Sequence, residues 1–214
     1  MKRVFRPSMT RVWRRGLSLA LAAIVWSGCG SDPVAGEGSP EKTPTFAEVL
    51  ALAEKGDARA KYNAALMYLT GDGVAADPVA AYTWMLAAAK AGDADAYFNL
   101  GIMTTKGLGV AEDPEQALTW YRVAARYGHV KAQANLGSAY YSGLGVKRDL
   151  AEAVKWFRLA ADQGDPLSQY KLADCLYVGK GVAKDRAAAI ELYRKAAEQG
   201  LAQARERLAG IRKN

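Results

Sequence analysis

The stretch AQANLGSAYYSGLGVKRDLAEAVKWFRLAADQG, residues 132–164, carries three ordered landmarks: a Gly-Leu-Gly-Val turn at 143–146, then Asp149, then Trp156 followed by the pair Ala160 and Ala161. A shift of 36 residues reproduces them in either direction. Gly143 corresponds to Gly71, Gly107 and Gly179, and Gly145 to Gly73, Gly109 and Gly181. Asp149 corresponds to Asp77, Asp113 and Asp185, and Trp156 to Trp84, Trp120 and Leu192. The closing Gly164 has its counterparts in Gly56, Gly92, Gly128 and Gly200. Such a period marks an array of units, each unable to bury its apolar face alone, and no pattern of a single-site enzyme explains it.

Each unit reads as two helices, because both segments between glycines show apolar residues at steps of three and four. In the second helices the stripe is Ala81, Trp84, Met85, Ala88 and Ala89, with counterparts such as Ala153, Trp156, Phe157, Ala160 and Ala161. One large ring among several tiny side chains lets helices approach closely around the indole. The first helices carry Ala60, Ala64 and Met67, then Ala96, Leu100 and Met103, then Ala132, Leu136 and Ala139, then Ser168, Leu172 and Cys175.

Helix ends are marked as regularly. Asp77, Asp113, Asp149 and Asp185 stand at N-cap positions, with Pro78 and Pro114 just inside, and Gln116 and Glu152 three residues after their aspartates suggest capping boxes. Asp57, Asp93, His129 and Asp165 open the first helices. Half-units flank the array: Thr45 with Glu48 opens a capping helix over residues 46–55, and a terminal helix with a polar exterior occupies 201–211. The expected repeat domain is therefore 46–211, with units 57–92, 93–128, 129–164 and 165–200 and ten helices in all.

The pattern from Ala132 to Gly164 resembles the Sel-1-like subclass of tetratricopeptide-type repeats. Departures are local: Ala65 and Ala173 stand where 101 and 137 are glycine, Thr104 and Leu176 where 68 and 140 are tyrosine, and Leu192 replaces tryptophan. The resemblance implies an all-α, right-handed solenoid of antiparallel helix pairs that binds other proteins as a non-catalytic adaptor, with no cofactor or metal.

The first 45 residues have another character. Lys2, Arg3, Arg6, Arg11, Arg14 and Arg15 precede an apolar run over residues 17–26, too short to span a bilayer, followed by Ser27, Gly28 and Cys29. This reads as an export signal over 1–28. Small residues before a cysteine resemble the lipobox of bacterial lipoproteins, which implies a diacylated Cys29; the alternatives are an ordinary signal peptide cut near Gly30 and an uncleaved tail. Residues 29–45, rich in glycine, proline and charge, read as a flexible tether. Gly30 after the cysteine, by analogy with lipoprotein sorting in Gram-negative cells, favours an outer-membrane, periplasm-facing location.

Processing also changes the charge argument. The formal net charge is +7, but six basic residues and no acid lie in the signal, which leaves 23 basic against 22 acidic residues. A nearly neutral chain without a basic patch interleaved with aromatics is not expected to bind nucleic acid. Cys175 has no partner cysteine after lipidation of Cys29 and reads as a small core residue. His129 is the only histidine, and metal-ligand spacings such as Cys-x-x-Cys are missing from the sequence. Ser168 and Lys171 fit the Ser-x-x-Lys pattern of penicillin-recognising serine enzymes, and some exported relatives of this repeat class are linked to β-lactams. Ser168 nevertheless aligns with Ala60, Ala96 and Ala132 on the packed face, and neither Ser-Asp-Asn nor Lys-Thr-Gly follows. An envelope hydrolase or β-lactam-binding enzyme is thus the alternative to an adaptor, and no small-molecule substrate is expected.

The remaining face of the first helices lines the inner curve in the repeat family. The candidate partner-binding residues there are Tyr62, Phe98, Lys131, Tyr141, Tyr170 and Tyr177, aromatic or charged side chains off the packed stripe. The competing reading is that neighbouring helices cover them. No single-sign charge pattern marks this groove, so a clamp for a terminal carboxylate is not indicated.

Overall fold

The computed structural model describes residues 43–211, so the proposed signal, Cys29 and most of the tether lie outside the described residues. Among the described residues ten helices follow one another: α1 (Phe46–Glu54), α2 (Ala58–Thr70), α3 (Pro78–Lys90), α4 (Ala94–Lys106), α5 (Pro114–Arg126), α6 (Val130–Ser142), α7 (Leu150–Asp162), α8 (Pro166–Val178), α9 (Arg186–Glu198) and α10 (Ala202–Ile211). Each packs on the next, and the helix pairs stack into an α-solenoid.

One aspartate does two jobs at every turn within a unit. Its carboxylate accepts an N–H of the second helix, as Asp149 does from Glu152 at 3.0 Å, while its own N–H donates back to the first helix, Asp149 to the Tyr140 carbonyl at 3.0 Å. Asp77, Asp113 and Asp185 repeat both bonds. Between units the chain leaves the second helix through a left-handed glycine, and the residue after it donates to a carbonyl five back, as Asp165 does to Ala160. Thr45 and Glu48 form the expected capping box. The boxes expected at Gln116 and Glu152 do not form: both backbone N–H groups are capped, but the Glu152 carboxylate turns outward to Lys155 at 2.9 Å.

Two contacts lock the middle repeats, and both rely on an absent side chain. A Cβ on Gly137 would lie 2.6 Å from the Phe157 ring, and one on Gly101 would collide with Tyr121. The second glycine of each turn rests on the start of the preceding unit's second helix: Gly109 on Pro78, Gly145 on Pro114, Gly181 on Leu150. Gly145 also has φ 67°, so this position combines a left-handed backbone with a close approach to another chain segment.

The stripes read from sequence form the core. Ala64, Ala96, Leu100, Ala132, Leu136, Ser168, Leu172 and Cys175 are buried, and burial pushes the Cys175 thiol pKa up. In the second helices the large central side chain is the residue after the tryptophan: Met85, Tyr121, Phe157 and Tyr193 are buried, whereas Trp84, Trp120 and Trp156 are only half-buried. The sequence reading centred on the indole is corrected accordingly. The indole bridges neighbouring units, Trp120 packing against the cluster of Met85 and Leu100.

Candidate functional site

The free face of the first helices is knitted together directly. Arg59 pairs with Asp95 at 3.0 Å and Asp93 at 3.4 Å, and its guanidinium lies 4.5 Å from the Tyr62 ring centroid. Asn99 donates to the Tyr62 hydroxyl at 3.0 Å. The Phe98 ring stacks on His129 at 4.2 Å, and His129 approaches Asp95 at 3.8 Å. His129 caps α6 as expected, its Nδ1 accepting from the Ala132 N–H at 3.3 Å. Burial holds its pKa below the usual imidazole value, with Asp95 opposing.

These contacts settle where the candidate residues sit. Tyr62 and Phe98 are buried, at 9% and 8% exposure, so at these two positions the competing reading holds and neighbouring side chains cover the rings. The physical reason is the next repeat: Asn99 closes over Tyr62, with Arg59 of its own helix beside the ring, and His129 closes over Phe98. Burial raises the Tyr62 pKa. Lys131 is exposed, while Tyr141, Tyr170 and Tyr177 are half-buried. Lys180 donates to the Tyr141 hydroxyl at 3.3 Å and lies 5.4 Å from its ring centroid. The Tyr177 ring has Arg186 at 5.1 Å and Arg207 at 5.3 Å. Beneath it the Tyr193 hydroxyl donates to Asp174 at 2.6 Å, and burial together with that bond pushes the phenol well above its ordinary range.

A cleft of about 240 Å³ opens between α4, α5 and α6, lined chiefly by Thr105, Pro114, Leu118, Tyr121, Ser138 and Leu144. Its cause is the size of four residues: Thr105, Ser138, Ala139 and Ser142. One repeat later the same positions hold Tyr141, Asp174, Cys175 and Val178, and one repeat earlier Leu69, Ile102, Met103 and Lys106. The candidate residues chosen on this face were its large side chains, and the cleft arises instead where Thr105, Ser138 and Ser142 are small together. The signal was a column of side-chain volumes across repeats.

Ser168 is 1% exposed, packed inside α8, and its backbone N–H donates to the Asp165 cap at 2.7 Å. Lys171 lies against the Tyr170 ring, 5.9 Å from its centroid. The Ser-x-x-Lys spacing thus belongs to the packing of a repeat.

Stacked helix pairs joined through a shared first-helix face define a helical-repeat scaffold. The Sel1 repeat model matches four times, over residues 58–93, 94–129, 130–165 and 166–201, and the chain belongs to this family. Sel1-repeat proteins are generally non-enzymatic scaffolds that mediate protein–protein interaction. Among solved structures the chain is similar to c5321, a protective antigen of uropathogenic Escherichia coli strains displaying an SLR fold, with 40% identity and a TM-score of 0.73. That match covers 75% of this chain and 34% of the antigen, so the chain spans about a third of its length. It is also similar to a Sel1 repeat protein from Oxalobacter formigenes, with 34% identity and a TM-score of 0.71, covering 78% of this chain and 68% of that one. No curated protein matches the chain.

Proposed function

We propose that this chain is a lipid-anchored adaptor of the bacterial envelope that binds a protein partner on the free face of its first helices. The cleft between α4, α5 and α6 supports the binding face: it is concave, mainly apolar and placed where the equivalent positions of other junctions carry larger side chains. Tyr141 and Lys131 lie on the helix that carries Ser138 and Ser142, and Tyr170 and Tyr177 extend the same surface along the stack. Export and anchoring rest on the basic segment, the short apolar run and the Ser-Gly-Cys boundary at Cys29.

Two experiments test the reading. Crosslinking in intact cells from a photoreactive group at Ser142 is expected to capture one protein, and a probe on the opposite surface at Leu159 is not. Equal capture from both positions contradicts a dedicated face. Cys29→Ser is expected to move the chain from the membrane pellet to the soluble fraction; an unchanged distribution with no acyl mass on Cys29 contradicts the anchor.

A further inference from the structure

The row of turns changes sign along the molecule. Residues 71–77 and 107–113 carry Asp72, Asp77, Glu112 and Asp113 and neither lysine nor arginine, with Lys106 just before the second turn. Residues 143–149 carry Lys147 and Arg148, and residues 179–186 carry Lys180, Lys184 and Arg186, all exposed. Asp149 and Asp185, the acids of these later turns, are committed to helix N–H groups at 3.0 and 2.9 Å. Among the described residues none of the five cations forms an ion pair. Two are held in place against rings, Lys180 on Tyr141 and Arg186 on Tyr177.

The cleft lies where the acidic turns give way to the basic ones, between Pro114 and Leu144. Three of its hydroxyls are satisfied within their own helices, Thr105 donating to the Gly101 carbonyl at 2.8 Å, Ser138 to Ala134 at 3.0 Å and Ser142 to Ser138 at 2.9 Å, and the Tyr121 hydroxyl meets that of Thr105 at 3.4 Å. The cleft therefore asks for an apolar occupant, and Leu144, 63% exposed, supplies an apolar rim.

We propose that the cleft and the basic turns together receive an acidic segment of a partner protein. One bulky apolar side chain enters the cleft, and the flanking carboxylates run along Lys147, Arg148, Lys180 and Lys184. Charge complementarity selects the acidic segment and steers its approach. A concave cleft accepts a side chain and a flat bilayer surface does not, which favours a peptide over anionic lipid. The proposal rests on the protein-binding reading and adds the chemistry of the partner.

The test uses the full chain and a fluorescent synthetic peptide of aspartate and glutamate around a central leucine, read by anisotropy. Binding is expected, weakening as ionic strength rises. Ser138→Ile, which installs the side chain found at Ile102, and the pair Lys147→Glu with Arg148→Glu are each expected to weaken it at least about tenfold. Melting temperatures check that both variants remain folded. Equal binding to Ser138→Ile and the native chain, or equal binding of a lysine-flanked peptide, overturns the proposal. So does binding of phosphatidylglycerol vesicles through Lys147 and Arg148 by a chain that ignores the peptide. If the partner crosslinked through Ser142 is captured equally by Ser138→Ile, this inference fails while the protein-binding reading stands; failure to capture any partner defeats that reading instead.

Discussion

The junction between the second and third repeats and the junction between the third and fourth share one backbone plan and differ in what fills it. At both, a turn glycine rests on the preceding helix start, Gly145 on Pro114 and Gly181 on Leu150. At both, a buried ring covers the first helix of its own unit, Tyr121 over Gly101 and Phe157 over Gly137. On the free face, however, Thr105, Ser138, Ala139 and Ser142 leave a cleft, whereas Tyr141, Asp174, Cys175 and Val178 occupy the next junction. Stacking is thus carried by residues common to the units, and the free face can vary from repeat to repeat without disturbing it.

If that division holds, the largest penalties come from the shared framework. Phe157→Ala is expected to cost about 3–5 kcal/mol as a large-to-small core change, and Trp156→Ala clearly less because the indole is only half-buried. Urea melts of the two variants decide which residue centres the repeat; a larger loss for Trp156 would restore the indole-centred reading. Gly145→Ala combines a left-handed backbone with a Cβ 2.9 Å from the Pro114 carbonyl oxygen, and about 1–3 kcal/mol is expected from the same melts. At the filled junction, Asp174→Ser withdraws the carboxylate from the buried Tyr193 hydroxyl and is expected to cost about 1–3 kcal/mol. Ser138→Ile at the open junction is expected to stay within about 0.5 kcal/mol of the native chain, because Ser138 is exposed. A large loss there would mean that the cleft is part of the framework.

The smallest effect concerns His129 at the entry to the third repeat, where the other units use aspartate. Burial lowers its folded pKa. As pH falls through about 6.5, the unfolded chain takes up a proton before the folded one does. Stability is therefore constant above that point and declines below it until the folded imidazole also protonates. His129→Asn keeps a capping acceptor and removes the titration, so the difference in melting temperature between pH 7.5 and pH 5 should shrink in the variant. An unchanged difference would assign the acid sensitivity to other groups.

Most of the framework was legible in the sequence because its determinants are local or recur at a fixed step. An aspartate six residues after a glycine caps the next helix whatever surrounds it, and Ser168 and Cys175 are placed in the core by alignment alone. The candidate face was less legible because burial there depends on a residue one repeat away. Tyr62 is covered through Asn99 and Phe98 through His129, and neither relation follows from the pattern of a single helix. The cleft is harder still, since it requires Thr105 on α4 and Ser138 on α6 to be small together. The same limit applies at Glu152, where a capping-box spacing is present but Lys155 competes for the carboxylate.

The resting of each turn on the unit before it has a bearing on how such chains change length. Gly109, Gly145 and Gly181 meet main-chain atoms of Pro78, Pro114 and Leu150, and the glycines themselves offer no side chain. The fit is consequently indifferent to which unit stands on which, as between courses of identical bricks. A duplicated or deleted block of 36 residues would meet a neighbour of the same shape. Gene duplication can lengthen the array, or an engineer exchange its middle courses, by altering the binding face while every joint keeps its form.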